Sequence, residues 1–175
     1  GSEMCIRDSL DSSVMPGMQG GPLMHIISAK AIAFGEALKE DFKEYSQQIV
    51  NNAKTMAESF MELGYDLVSD GTDTHVMLID LTNKNISGKK AEKVLENTGI
   101  TVNKNMVPFD QRSPFITSGI RIGSPAITTR GMGQGEMVQV INFIDKIIMN
   151  VENHSIIEKV KTDVQTLCSS FPLYS

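Results

Sequence analysis

Val14-Met15-Pro16-Gly17-Met18-Gln19-Gly20-Gly21-Pro22-Leu23-Met24-His25 is a glycine-rich turn that opens directly into a long apolar, helix-forming stretch. Gly20 and Gly21 have no Cβ, so their amides can approach a ligand closely, and Pro22 suits a first helical turn, where its missing N–H costs nothing. Such a corner fits an anion. Free N–H groups and the positive end of the helix dipole, about half an elementary charge, favour a phosphate without any charged side chain. Spacing alone favours a plainer reading, a helix start after an ordinary Gly/Pro turn.

Outward from this corner, Leu23, Ile26, Ile27, Ala31 and Phe34 place apolar residues at three- and four-residue steps and predict a helix from Pro22. A restart capped by Asp41 is expected next, with Ile49, Ala53, Met56, Ala57, Phe60 and Leu63 as one apolar stripe ending at Gly64. Residues 65–68 and 75–81 read as neighbouring strands around the turn Asp70-Gly71-Thr72. Ser87 is positioned to cap a helix over 88–97 that Gly99 stops, although Lys90 stands where a capping-box glutamate would be. Residues 100–103 and 119–123 read as two more short strands, joined by a Pro-containing loop too long for a tight hairpin. Helices over 135–149 and 155–169 close the chain, and Ile157, Val160, Val164 and Leu167 give the last one a face that packs on the sheet. The second part is therefore expected to be a layered α/β unit with a mainly antiparallel sheet.

Composition bounds the function. The 175 residues, 41% hydrophobic, suffice for one core and one domain or slightly more. A net charge of -5 argues against nucleic-acid binding, which needs a basic patch. No apolar run reaches the ~18 residues that span a bilayer, and no signal-peptide pattern opens the chain, so a cytoplasmic, membrane-free protein is expected. Cys5 and Cys168 fit no metal-ligand spacing, which leaves free thiols and no metal site as the expectation. Most of the 11 methionines are expected to fill core gaps.

Four segments in order carry a resemblance: Pro16-Gly17-Met18-Gln19-Gly20-Gly21-Pro22-Leu23-Met24-His25; Gly71-Thr72-Asp73-Thr74-His75 with the apolar run to Leu81; Ile100-Thr101-Val102-Asn103-Lys104-Asn105 with Val107-Pro108; and Ser113-Pro114-Phe115-Ile116-Thr117-Ser118-Gly119-Ile120-Arg121-Ile122-Gly123. Together they resemble serine hydroxymethyltransferases from about Leu10 to the C-terminus. The fold implied is α/β, the C-terminal part of a fold-type I enzyme dependent on pyridoxal 5′-phosphate (PLP), with a linker helix and a small domain. The implied domains are a non-family tail or cloning remnant over 1–9, the end of the large PLP-binding domain with its connector helix over 10–40, and the small domain over 41–175.

The resemblance implies a reversible serine–glycine interconversion that passes a one-carbon unit to tetrahydrofolate, giving 5,10-methylenetetrahydrofolate. Arg121 would bind the substrate carboxylate, and its planar guanidinium supplies the two-point fork that orients an amino acid. Ile120 and Ile122 on either side suggest a packed segment rather than a surface arginine on an edge strand. Asn105 and the Ser113-Pro114-Phe115 step would meet the folate pterin, whose donors and acceptors suit a polar-lined loop, although these are also ordinary loop residues. Phe109 departs from the small polar residue, commonly asparagine, that the family carries there. Gly20 and Gly21 would reach the cofactor phosphate of a neighbouring subunit, making the parent a homodimer or tetramer.

The family's PLP lysine ends a threonine-rich segment closing in His-Lys, and no His-Lys step occurs in the 175 residues. The chain therefore reads as a C-terminal fragment without catalytic residues of its own, inactive in isolation. Neither His25, His75 nor His154 is assigned a catalytic role, and Arg130 is read as stabilising the turn before the next helix. Two alternatives remain. Another fold-type I enzyme, such as an aminotransferase, also uses a small-domain arginine but leaves the folate-side loop unexplained. A non-catalytic dimerisation or docking module would use apolar surface left uncovered on the first helix.

Overall fold

The structure, a computed structural model, describes residues 2–173; Gly1 and residues 174–175, which the domain expectations include, lie outside the described residues. The chain divides into two compact units, Gly1–Lys43 and Glu44–Ser175.

The first unit holds helix α1 (Ser2–Ser12), an irregular turn over 13–18 and helix α2 (Met24–Ala37). The helix after the glycine turn begins later than expected. Leu23 is its N-cap residue, so Pro22 stands outside the helix instead of in its first turn. Apolar residues lie on every side of α2, and Leu23, Met24, Ile26, Ile27, Ile32 and Phe34 are all exposed. A helix apolar all round belongs in the interior of something larger. No helix among the described residues is long and apolar enough to cross a membrane.

The chain breaks at Leu38 and Lys39 before helix α3 (Glu40–Glu62), which carries Glu40 and Asp41 in its first turn. Asp41 is thus inside the helix, where its charge meets the dipole favourably, and is not the cap. The predicted stripe is real: Ala53, Met56, Ala57 and Phe60 are buried, and Gly64, at φ +73°, ends the run in the left-handed region. Immediately before the stripe sits Asn52, fully buried, which donates to the Thr128 hydroxyl at 2.8 Å and the Met132 carbonyl at 3.0 Å while accepting from Gln48.

The second unit is built on four strands, β1 (Asp66–Leu67), β2 (Val76–Asp80), β3 (Asn103–Asn105) and β4 (Gly119–Gly123), in the order β1-β2-β4-β3 and antiparallel throughout. Helices α4 (Gly88–Asn97), α5 (Pro125–Thr129), α6 (Gln134–Ile148) and α7 (His154–Ser170) complete it. Ser87 caps α4 as expected, its hydroxyl accepting from Lys90 N at 3.2 Å. At α6 the Glu136 carboxylate reaches back to Gly133 N at 2.8 Å, satisfying a donor of the first turn.

Three expectations shift. The third strand lies at Asn103–Asn105 and not at 100–103: Val102 goes into the core, and the polar residues after it pair with β4. Short α5, with Pro125 in its first turn, was not foreseen. Helix α7 packs chiefly against α6 rather than on the sheet. Alternation then divides the sheet. Leu67, Met77, Ile79, Ile120 and Ile122 face a core closed by α3, α4, α6 and α7, and Leu78, Asn103 and Arg121 face the other way.

Candidate functional site

Arg121 lies on an inner strand, not an edge, between Leu78 of β2 and Asn103 of β3 in register. Its neighbours Ile120 and Ile122 are packed into the core, but the guanidinium itself is exposed on the opposite face. It makes no hydrogen bond or ion pair with any described residue. In the next cross-strand row on the same face lie Asp80, Gly119 and Asn105. Asp80 Oδ1 accepts from Thr82 N–H at 2.8 Å and from its hydroxyl at 2.6 Å, and among the described residues no ion pair joins Asp80 to the arginine. A fixed strand thus holds out a free two-point donor whose complement is a carboxylate.

The loop over 106–118 leaves β3 and returns as β4. Asn105 is half-buried at its start, its amide donating to Met106 O at 2.8 Å. Ser113, Pro114 and Phe115 are exposed on its far limb, in a turn closed by Ile116 N and Thr117 N on Ser113 O at 2.9 and 3.0 Å. The limbs are held together by Asp110. This residue escaped the sequence reading: its Asx-type contact with Arg112 N is local, but its bonds to Ser118 close across eight residues and leave no pattern in sequence. Desolvation raises the Asp110 pKa, but the Ser118 hydroxyl and the N–H groups of Arg112, Ser118 and Val107 outweigh it and lower it to about 2.

The loop also docks on α4. Gly88 N and Lys89 N, at the start of that helix, donate to Thr117 O and Ile116 O at 3.0 and 2.9 Å. A Cβ on Gly88 would lie 2.2 Å from Thr117 Oγ1 and 2.3 Å from Gly119 O, so only glycine permits the approach. Phe109 sits at the tip with φ +58° and 95% of its surface exposed. That left-handed conformation suits asparagine or glycine and strains a bulky residue, so the departure at this position has a backbone consequence.

In the first unit, Gly20 and Gly21 line a recess with Gln19, Pro22, Ile26 and Lys30. A Cβ at either glycine would meet nothing within 4 Å, and neither has positive φ, so this chain's own packing gives no reason for glycine there. Lys30 adds a cation that the sequence reading did not single out.

Among the described residues no group of three His, Cys, Asp or Glu side chains could hold a metal ion. Cys5 and Cys168 are free thiols. Arg130 differs from its expected role: its guanidinium donates to Phe171 O and Cys168 O, both at 2.9 Å, and ties down the end of α7. An apolar cavity beside it lies between β4, α5, α6 and α7, lined by Ile122, Phe143, Val164 and Leu167. It takes in none of the residues singled out above for binding. Tyr65 is the other strongly perturbed group; burial first, then its hydrogen bond to Asp145 at 2.9 Å, raises its pKa far above the ordinary range, so it stays a neutral structural phenol.

A family model described as serine hydroxymethyltransferase matches residues 2–144, well over half of the chain and including residues 2–9. With the antiparallel four-stranded sheet and its helices, the match bears out the α/β, fold-type I class.

Proposed function

The chain belongs to the serine hydroxymethyltransferase family, and on that premise we propose that the intact protein interconverts serine and glycine in the cytoplasm, exchanging the one-carbon unit with tetrahydrofolate. Family membership makes the parent a transferase of serine and glycine one-carbon metabolism. The observation that carries the finer reading is the unpaired Arg121 guanidinium, fixed by buried neighbours on the free face of the sheet.

In this reading Arg121 binds the carboxylate of serine or glycine and sets its orientation through two parallel N–H···O bonds. Asp80, which holds Thr82 through Oδ1 and makes no ion pair with Arg121, leaves that fork available. Asn105 and the Ser113-Pro114-Phe115 step bind the pterin, with Asn105 in the row next to Arg121 on the same face. Arg121 and Asn105 thereby stand on one strand pair, β4 and β3, and the Ser113-Pro114-Phe115 step lies in the loop that joins them.

The residues present fit the phosphate end of PLP: two glycines with open space where a Cβ would stand, the start of α2 and Lys30. When bound, the cofactor supplies the electron sink for cleavage of the Cα–Cβ bond. Its lysine, for which the 175 residues offer no His-Lys step, is assigned to the remainder of the protein. The end of the large domain over 10–40, the small domain over 41–175, and a homodimer or tetramer completing each site belong to the same proposal. Incubating the intact protein with PLP, serine and tetrahydrofolate tests it: folate-dependent glycine formation is expected, and none with a fully loaded cofactor would refute it.

A further inference from the structure

A connection as long as 106–118 without regular structure is uncommon unless it is functional. Here one carboxylate organises it. Asp110 Oδ1 accepts from the Ser118 hydroxyl at 2.6 Å and from Arg112 N at 2.9 Å; Oδ2 accepts from Ser118 N at 2.8 Å and from Val107 N at 3.3 Å. Entry, tip and exit of the loop therefore meet at a single side chain. Arg112 extends the clamp outward, its Nη1 donating to Ile86 O at 2.9 Å. Asn105 immediately precedes the clamped entry. Ser113, Pro114 and Phe115 lie between the clamped tip and exit, and are themselves exposed.

We propose that Asp110 is the positioning residue of the tetrahydrofolate site, holding Asn105 and the Ser113-Pro114-Phe115 step at a fixed separation so that both meet one pterin. The inference rests on the assignment of this loop to folate. Asp110 makes no hydrogen bond or ion pair with Arg121, and its four donors all belong to the loop and its return into β4. Its loss therefore acts on folate and spares the amino acid. All four partners are donors, so an amide in its place turns an N–H₂ group toward some of them and breaks the clamp with almost no change in size.

The experiment uses the intact, cofactor-loaded protein with Asp110→Asn, Ser118→Ala and Asn105→Ala. Initial rates give KM for tetrahydrofolate, and titration of the cofactor absorbance gives serine affinity. Asp110→Asn is expected to raise KM for tetrahydrofolate at least tenfold, with kcat at saturating folate within threefold of wild type and serine affinity within twofold. Ser118→Ala, which removes one of the four donors and keeps the test open should Asp110→Asn fold poorly, is expected to give a smaller rise in the same constant. Equal losses for serine and folate would overturn the proposal by making Asp110 a general fold residue. Unchanged folate KM in Asp110→Asn and Ser118→Ala, with a raised KM in Asn105→Ala, would overturn it while leaving the folate assignment intact. Unchanged folate KM in all three would remove the assignment itself.

Discussion

Arg121 stands opposite Asn103 across β4 and β3, on the face of the sheet turned away from the core. Ile120 and Ile122, on either side of it, are 0% and 9% exposed. The alternation of a strand lets the core fix a charged side chain without burying it. Truncating Ile120 to Ala is expected to destabilise the second unit by about 2–5 kcal/mol, the range for a large-to-small change in a close-packed core. Urea unfolding checks this, and a loss under ~1 kcal/mol would mean that the site's support lies elsewhere.

Gly88→Ala places a methyl against Thr117 Oγ1 and Gly119 O, at 2.2 and 2.3 Å before any relaxation. The loop or α4 must then move, and a destabilisation of about 1–3 kcal/mol or more is expected from overpacking. Calorimetric Tm is the readout. An unchanged Tm would show that the loop does not dock on α4 as described.

Phe109→Asn should move stability the other way. A residue at φ +58° gains from asparagine, which tolerates the left-handed region, and the exposed ring loses no packing partner. The expected gain is on the order of 1 kcal/mol. Equal or lower stability would indicate that the ring makes contacts that outweigh the strain.

Acid should open the loop late. The Asp110 pKa is lowered from 3.8 to about 2, so the folded state favours the carboxylate and the clamp's contribution is complete above about pH 4. It is lost as pH falls from there through about 2, when protonation removes the acceptor. Carboxyl NMR shifts report the group directly. A midpoint at or above 3.8 would contradict the four-bond geometry.

Much of this architecture was legible locally. Periodicity located α3, its stripe and its stop at Gly64, and β-rich runs located β2 and β4, because those signals depend on near neighbours in sequence. The third strand slipped because the apolar run from Ile100 to Val102 looks more strand-like than Asn103-Lys104-Asn105. Pairing with Gly119, Ile120 and Arg121 overrides that preference, and Glu92 of α4 receives both Lys104 N and its ammonium. Asn52 carries no local signal of its role, and only the fold brings Thr128 and Met132 to it. At the candidate site, motif points to Arg121 and Asn105, whereas Asp110 and Gly88 make their contacts across turns that sequence alone does not close.

The role of Arg121 is the central claim, and serine affinity in the intact, cofactor-loaded protein tests it most directly. Arg121→Lys keeps the charge but loses the two-point fork, so serine binding, followed by the cofactor's absorbance, is expected to weaken at least tenfold, a difference of about 1.4 kcal/mol, while cofactor content stays unchanged. Serine affinity within twofold of wild type, with the cofactor fully bound, would contradict the account.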